Sequence, residues 1–259
     1  MKISIEQSAK RINYDQFRSI NDLCFPNEPV AENLYQEYVM ANFWAVFDQD
    51  TLIGYAVMKY MANNAHISRI CIHPAYRSQG LGHQLMTEIL GAATNEGVHK
   101  VTLLVQQDNP AAIRLYQKHN FQIEGESVQF LVPFVSDTEN GSAVISIDEY
   151  RNGQVYTPHD QQIMVWEKHH DPPQRHILVF VKNNKAIGFC RFSPEFPGCL
   201  PFEIFDAEEV VDIQGLISLF SEYALPEKMT IKITTENANA IKLLKEQGAK
   251  ENYSLYEMT

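Results

Sequence analysis

One helical segment occurs twice in this chain. "NPAAIRLYQKHNF" (Asn109 to Phe121) and "NANAIKLLKEQGA" (Asn237 to Ala249) align without gaps, so that Asn109 meets Asn237, Ala112 meets Ala240, Ile113 meets Ile241 and Leu115 meets Leu243. The hairpin patterns upstream correspond too: "FWAVFDQDTLIGYAVM" turns at its aspartates and "ILVFVKNNKAIGFCRF" at Asn183-Asn184. Self-similarity on this scale implies two copies of one folding unit. With 259 residues, each copy has the length of a modest domain.

Each copy alternates strand and helix signals. "KISIEQ" reads as a strand and Asp15 to Cys24 as a helix, and a hairpin follows that turns near Asp48 to Asp50. Ile67 to Ile72 is a further strand. After it, Leu81, Leu85, Met86, Ile89, Leu90 and Ala93 mark one helical face. "HKVTLLVQ" reads as a buried strand. The next helix has good end signals, with Asn109 to cap it, Pro110 in its first turn and Asn120 to close it, and "FQIEGESVQFLVPF" is a last strand. Alternation of this kind implies an α/β (α+β) class with a mixed, mostly antiparallel sheet. The polar stretch Ser136 to Ser142 suggests a boundary, giving domains 1–137 and 138–259, although "AVISIDEY" could close the first or open the second.

Net charge is −11, from 32 acids and 21 bases. Both halves are acidic, which argues against a nucleic-acid partner, since that needs a basic face. An acidic surface is compatible with a cationic substrate. No apolar run reaches membrane-spanning length, and "MKISIEQSAKR" lacks a secretory core, so no membrane role is expected. Cys24, Cys71, Cys190 and Cys199 are scattered and read as reduced thiols of a cytoplasmic protein.

Between the strand "ISRICI" and the helix "LGHQLMTEILGAA" lies "HPAYRSQG". A strand ending in a glycine-bearing turn leaves backbone N–H groups converging on one space. The following helix adds its own unpaired N–H groups and the positive end of its dipole. Together they suit an anion such as a phosphate. Gly80 and Gly82 allow close backbone approach to a diphosphate, and Arg77 adds charge. A dinucleotide fingerprint or a P-loop would read differently, and neither is present.

The loop and the later helix together resemble the acetyl-CoA signature of the GNAT N-acetyltransferase superfamily. Its pattern, R/Q-x-x-G-x-G/A followed by an Asn-x-x-Ala-x-x-x-Tyr helix, reads here as Arg77, Gly80 and Gly82, then Asn109, Ala112 and Tyr116. The resemblance covers residues 1 to 135 closely and the remainder as a diverged second copy. Within the family it is nearest the ribosomal-protein alanine branch. It implies acetyl-CoA as co-substrate and no metal. The strand before the loop would splay from its neighbour. The backbone of Ile70 and Ile72, flanking Cys71, would pair with pantetheine amides. Arg77, Ser78, Gln79, Gly80, Leu81, Gly82 and His83 would cradle the diphosphate, Asn109 would bind the cofactor, and Tyr116 would aim its hydroxyl at the sulfur. Acceptor specificity would sit in "CFPNEPVAENLYQEY" and "SVQFLVPF".

Acetyl transfer to an amine needs an acceptor for the ammonium proton and a donor for the departing thiolate. Tyr116 is the expected acid. For the base, related N-terminal acetyltransferases carry a glutamate where this chain has Leu104, which moves the search to His66. By strand alternation His66 shares a face with Ser68, Ile70 and Ile72, and an imidazole titrates in the useful range. Cys71 itself reads as a small core residue, with no partner histidine placed to activate it. His159, His169, His170, Asp171 and His176 lack metal-ligand spacing and read as a solvated loop.

The second copy departs from the pattern. Asp206, Glu208 and Glu209 stand where the loop's Arg, Gln and Gly would be, and Leu244 stands where Tyr116 stands. Carboxylates there satisfy the helix dipole themselves and repel a diphosphate. The expectation is therefore an active N-terminal GNAT domain and a degenerate C-terminal one, in a monomer with a pseudo-dimeric domain arrangement. The reaction would move acetyl from acetyl-CoA to a primary amine by direct transfer in a ternary complex. The alternatives are a protein N-terminal or lysine acetyltransferase and, outside enzymes, an acetyl-CoA-binding sensor or scaffold.

Overall fold

The structure is a computed structural model that describes residues 2–40, 42–61, 63–134, 143–153, 159–167, 176–194, 198–210, 212–223 and 230–259. The chain divides into two compact units, residues 1–124 with 257–259, and residues 125–256. In the first unit β1 (Ile3–Glu6), α1 (Tyr14–Cys24) and α2 (Glu32–Met40) precede the hairpin of β2 (Asn42–Asp48) and β3 (Thr51–Met61). Then come β4 (Asn64–Ile72), α3 (Leu81–Asn95), β5 (Lys100–Gln106) and α4 (Pro110–Gln117). The strand order is β1-β2-β3-β4-β5, antiparallel except for the parallel β4–β5 pair. Asn13 and Gln16 form a capping box at α1. Phe17 of α1 packs 4.9 Å from the rings of both Tyr35 and Tyr55. On α3, Leu81, Leu85, Met86, Ile89 and Ala93 are buried as the apolar spacing requires, whereas Leu90 is half-buried at the edge of that stripe.

The second unit takes in β6 (Ile123–Pro133) from Gly125 onward. β7 (Ala143–Ser146), α5 (Ile147–Asn152), α6 (Asp160–Glu167), β8 (His176–Lys182), β9 (Lys185–Ser193) and β10 (Gly198–Ile204) follow. It closes with α7 (Ile213–Ser218), β11 (Thr230–Thr235), α8 (Ala238–Glu246) and β12 (Lys250–Met258). Its order is β12-β6-β11-β10-β9-β8-β7. β6 pairs antiparallel with β11 from Val128↔Thr235 to Pro133↔Thr230, so the units part within the first residues of β6, after Glu124. The Ser136–Ser142 stretch that suggested a boundary at 137 lies outside the described residues. "AVISIDEY" belongs to the second unit, where β7 pairs with β8. The chain's last residues belong to the first: Gln122 and Thr259 exchange backbone hydrogen bonds of 2.8 and 3.0 Å. Phe130, Phe180, Phe202, Leu216, Phe220 and Leu244 are fully buried in one core of the second unit.

The repeat seen in the helices extends to irregularities of the strands. In the first unit Val46 pairs with Gly54 and Phe47 with Leu52, leaving Ile53 as an extra residue. In the second, Phe180 pairs with Gly188 and Val181 with Ala186, leaving Ile187. Gly54 in turn pairs with Ile72, and Gly188 with Ile204. Both glycines give room to a neighbouring backbone carbonyl, that of Cys71 and that of Glu203. Ile72 and Ile204 are therefore equivalent, as are Cys71 and Glu203, and Ile70 and Phe202. A Cβ at Gly54 would lie 2.8 Å from the Cys71 oxygen and 2.6 Å from Ile72 Cδ1. Gly54→Ala is expected to cost about 1–3 kcal/mol, read as a lower urea midpoint at unchanged slope.

Candidate active site

The parallel pair β4–β5 is ladder-bonded from Asn64↔Lys100 to Ile67↔Leu103. Among the described residues the pairing stops there, while β4 runs on to Ile72 and β5 to Gln106. A bulge sits at the parting: Met58 faces Ile67 and Val57 faces Arg69, with Ser68 inserted. This bulge corrects the facing expected for His66. Simple alternation put His66 with Ser68, Ile70 and Ile72. With one residue inserted, His66, opposite Lys59, shares the face of Arg69 and Cys71 instead. That face is covered by α1 and α2. His66 Nδ1 is 3.0 Å from Thr102 Oγ1 on β5.

After β4, His73 Nδ1 accepts from the Ala75 N–H at 3.2 Å and caps a short 3-10 turn, Pro74–Tyr76. Ser78 (φ 63°) and Gly80 (φ 81°) both take left-handed backbone conformations. Gly80 is the N-cap of α3 and supplies no side-chain hydrogen bond. The first-turn N–H groups of Leu81, Gly82 and His83 have no intrahelical acceptor by geometry. Gly82 has a packing reason as well, since a Cβ there would lie 3.3 Å from Leu115 Cδ2 on α4. Arg77 folds back onto the strand: Nε donates to the Ile72 carbonyl at 2.9 Å and Nη2 to Cys24 Sγ at 3.8 Å. Gln79 Nε2 donates to the Ala75 carbonyl at 3.3 Å. His83 Nδ1 meets His119 Nε2 at 2.8 Å, and burial, with the neighbouring His83, lowers His119 below the ordinary imidazole value.

Asn109 caps α4 as expected, its Oδ1 accepting from the Ala112 N–H at 3.1 Å, and Asn120 (φ 66°) follows the helix end. In the last turn of α4, Tyr116 is buried at 6% exposure with Phe121 at 6.1 Å, and burial raises its phenol above the ordinary value.

Sequence reasoning passed over the polar cluster on the α1–α2 face. Arg69 Nε donates to Tyr38 Oη (3.2 Å), Nη1 to Asn21 Oδ1 (3.2 Å) and Nη2 to Glu28 Oε2 (3.0 Å). Its guanidinium lies 4.7 Å from the Phe25 ring centroid, and Tyr55 Oη donates to the same Asn21 oxygen at 2.8 Å. Arg69 thus ties α1, the segment after it and α2 to the splayed strand. The available signal was one arginine inside an otherwise apolar "ISRICI".

The second unit keeps the scaffold and fills the site. Its parallel pair β10–β11 is bonded at Gly198↔Lys232 and Cys199↔Ile233 and stops next to a bulge between Cys199 and Phe202. The carbonyls equivalent to those of Ile70 and Ile72 are taken by its own side chains. Thr235 Oγ1 donates to Phe202 O at 2.7 Å, and Asn239 Nδ2 to Ile204 O at 3.2 Å. Asn237 caps α8 as Asn109 caps α4, and its Nδ2 donates to Glu203 Oε2 at 2.8 Å. At the helix after β10, Asp212 accepts from the Gln214 and Gly215 N–H groups, both at 2.9 Å. The capping carboxylate is therefore Asp212 rather than Asp206, Glu208 or Glu209. Asp206 accepts from the Glu208 N–H instead, and the Glu209 carbonyl takes Lys182 Nζ. Leu244 is fully buried. Of the histidine cluster, His159 stacks on Phe205 at 4.1 Å and His176 opens β8 against Tyr223 at 4.7 Å, so neither sits in a solvated loop. His169, His170 and Asp171 lie outside the described residues.

Burial raises the Glu203 carboxyl above its ordinary value, partly offset by the Asn237 hydrogen bond, with nearby Glu236 adding to the rise. A carboxyl raised in the folded state costs stability as pH climbs from the unfolded carboxylate value through the folded one. Glu203→Gln keeps an acceptor for Asn237. It is expected to raise the thermal midpoint at pH 7, with the gain gone at pH 4.

A splayed parallel pair under an uncapped helix, with an asparagine-capped helix beside it, is the arrangement the resemblance implied. The model of the acetyltransferase (GNAT) family matches residues 11–121. These residues form a GNAT acetyltransferase domain. A spermidine N(1)-acetyltransferase of Thermoplasma acidophilum is 29% identical over 82 residues, 32% of this chain and 51% of that protein. A [ribosomal protein bS18]-alanine N-acetyltransferase of Haemophilus ducreyi is 27% identical over 74 residues, 29% of this chain and 51% of that protein. The chain thus spans about half the length of these curated relatives. The crystal structure of a GCN5-related N-acetyltransferase from Sphaerobacter thermophilus superposes with TM-score 0.64 at 12% identity. It covers 99% of this chain and 94% of that one, so the GNAT fold extends through the second unit. No described helix is long and apolar enough to cross a membrane.

Proposed function

We propose that the GNAT domain transfers an acetyl group from acetyl-CoA to a primary amine, with both substrates bound at once. The observation that carries this reading is the parting of β4 and β5 beyond Ile67 and Leu103, next to a helix whose N-cap, Gly80, has no side chain. Acetyl-CoA would supply the activated thioester carbonyl. Backbone groups of Ile70 and Ile72, on either side of Cys71, would hold its pantetheine arm. Arg77 through His83 would hold the diphosphate, with Arg77 leaving the Ile72 carbonyl to do so. Asn109, with its oxygen committed to the Ala112 N–H, has an amide N–H₂ to offer, and Tyr116 would protonate the departing sulfur. His66, held by Thr102, would take the ammonium proton. The face it shares with Arg69 is the one that the α1–α2 segment covers, where an acceptor would enter.

Two relatives are named for acetylating spermidine and a ribosomal-protein alanine, which supports an amine acceptor. The second unit has the fold without an open site, which supports a single acetyl-CoA site per chain. The test is release of free coenzyme A thiol from acetyl-CoA in the presence of polyamines, aminoglycosides, amino acids and N-terminal peptides. Release with one class, and an acetyl mass gain on that compound, is expected. Acetyl-CoA binding with no release from any of them would favour a sensor. His66→Gln is expected to remove the acidic limb of the pH–rate profile for kcat/KM; an unchanged limb would return the base role to water or another residue.

A further inference from the structure

α1 ends on Cys24, and the end of β4 brings Cys71 to the same covered face. Both are free thiols, Cys24 half-exposed and Cys71 buried. Cys24 Sγ meets the carbonyl of Ile72, the residue after Cys71, at 3.7 Å and Arg77 Nη2 at 3.8 Å. The neighbouring Cys71 thiol lowers the Cys24 thiol to about 7, against burial and with help from Arg77. Burial, and then the neighbouring Cys24, push the Cys71 thiol up. An accessible sulfur that ionises near neutrality, beside a buried thiol that keeps its proton, is the pairing of an attacking and a resolving cysteine.

We propose that Cys24 and Cys71 form a thiol–disulfide exchange site for low-molecular-weight disulfides. The Cys24 thiolate attacks one sulfur of the small disulfide, whose S–S bond breaks and releases one thiolate. Cys71 then loses its proton to solvent and attacks the Cys24 sulfur, expelling the second small thiolate and closing the Cys24–Cys71 bond. The two cysteines give up two electrons, and the small disulfide accepts them. Closure removes a negative charge from beside Arg77. This consequence rests on the proposed diphosphate role of that loop, and it predicts tighter acetyl-CoA binding by the oxidised chain.

The test treats the full chain with glutathione disulfide and reads intact mass and non-reduced peptides. Loss of two hydrogen masses and a peptide pair joining Cys24 to Cys71 are expected, reversed by dithiothreitol. Cys71→Ser, which keeps a donor beside Cys24 but no resolving sulfur, should stop at a glutathione adduct on Cys24, and Cys24→Ser should leave Cys71 unmodified. Cys190 and Cys199, both buried in the core of the second unit, provide the internal control. No adduct on Cys24 in Cys71→Ser, or linkage of Cys190 to Cys199 with Cys24 untouched, would overturn the exchange site. Calorimetry on reduced and oxidised chain then reads the loop, with a several-fold gain in affinity expected. Unchanged affinity overturns the link to Arg77. Absence of acetyl-CoA binding in both forms overturns the loop assignment and leaves the exchange site decided by mass.

Discussion

Tyr116→Phe is expected to lower kcat by about 10²–10⁴-fold while acetyl-CoA affinity changes little. The range is that of a general acid acting on a leaving group. The phenol is buried on α4, and burial raises it above the ordinary tyrosine value, so the proton is retained across the working range. An alkaline limb arising from Tyr116 should therefore not appear below about pH 10. Phenylalanine fills the same space against Phe121, and the thermal midpoint should hold within a degree or two of the parent. A variant with full turnover would move the proton donor elsewhere. A variant with equal losses in kcat and in stability would reduce Tyr116 to packing.

Gly80→Asp is expected to weaken acetyl-CoA binding by about 100-fold, close to 2.7 kcal/mol, without unfolding the chain. The substitution gives α3 a carboxylate like the one the second unit carries at Asp212. A negative side chain at a helix N-terminus competes for the same N–H groups and repels a diphosphate. Aspartate is among the residues that tolerate the left-handed backbone found at Gly80 (φ 81°). The readout is the shift in thermal midpoint on adding acetyl-CoA, which mass action ties to affinity. A shift equal to that of the parent would show that the diphosphate binds away from α3.

Much of this was legible because it is written in local patterns. The Asn-capped helices, the Asn183-Asn184 turn and the apolar stripe of α3 all follow from residue type and spacing, and the structure places them where expected. The duplication was legible through the same helices. What escaped sequence reasoning depends on contacts between distant segments. The bulge at Ser68 inverts the facing of His66, and nothing in "AHISRICI" marks one residue as inserted. Cys71 was read as inert because no histidine lies near it in sequence, yet its partner, Cys24, is brought from the end of α1. The acids at Asp206 to Glu209 drew attention to the right loop, but the cap is set by Asp212, because α7 starts later than the pattern suggested. β6 looked like the last strand of the first copy, and its ladder with β11 is a long-range choice that alternation cannot express.

The scaffold of the site is thus present twice, and we propose that the first copy alone opens to acetyl-CoA. In the second unit Thr235 and Asn239 hold the carbonyls equivalent to those of Ile70 and Ile72, the latter held by Arg77 in the first unit, and Asp212 accepts from first-turn N–H groups of the kind that Gly80 leaves uncapped. Isothermal titration of the full chain with acetyl-CoA measures this contrast directly. One acetyl-CoA per chain, abolished by Gly80→Asp, is the expected result. Two equivalent sites, or one site that survives Gly80→Asp undiminished, would contradict it.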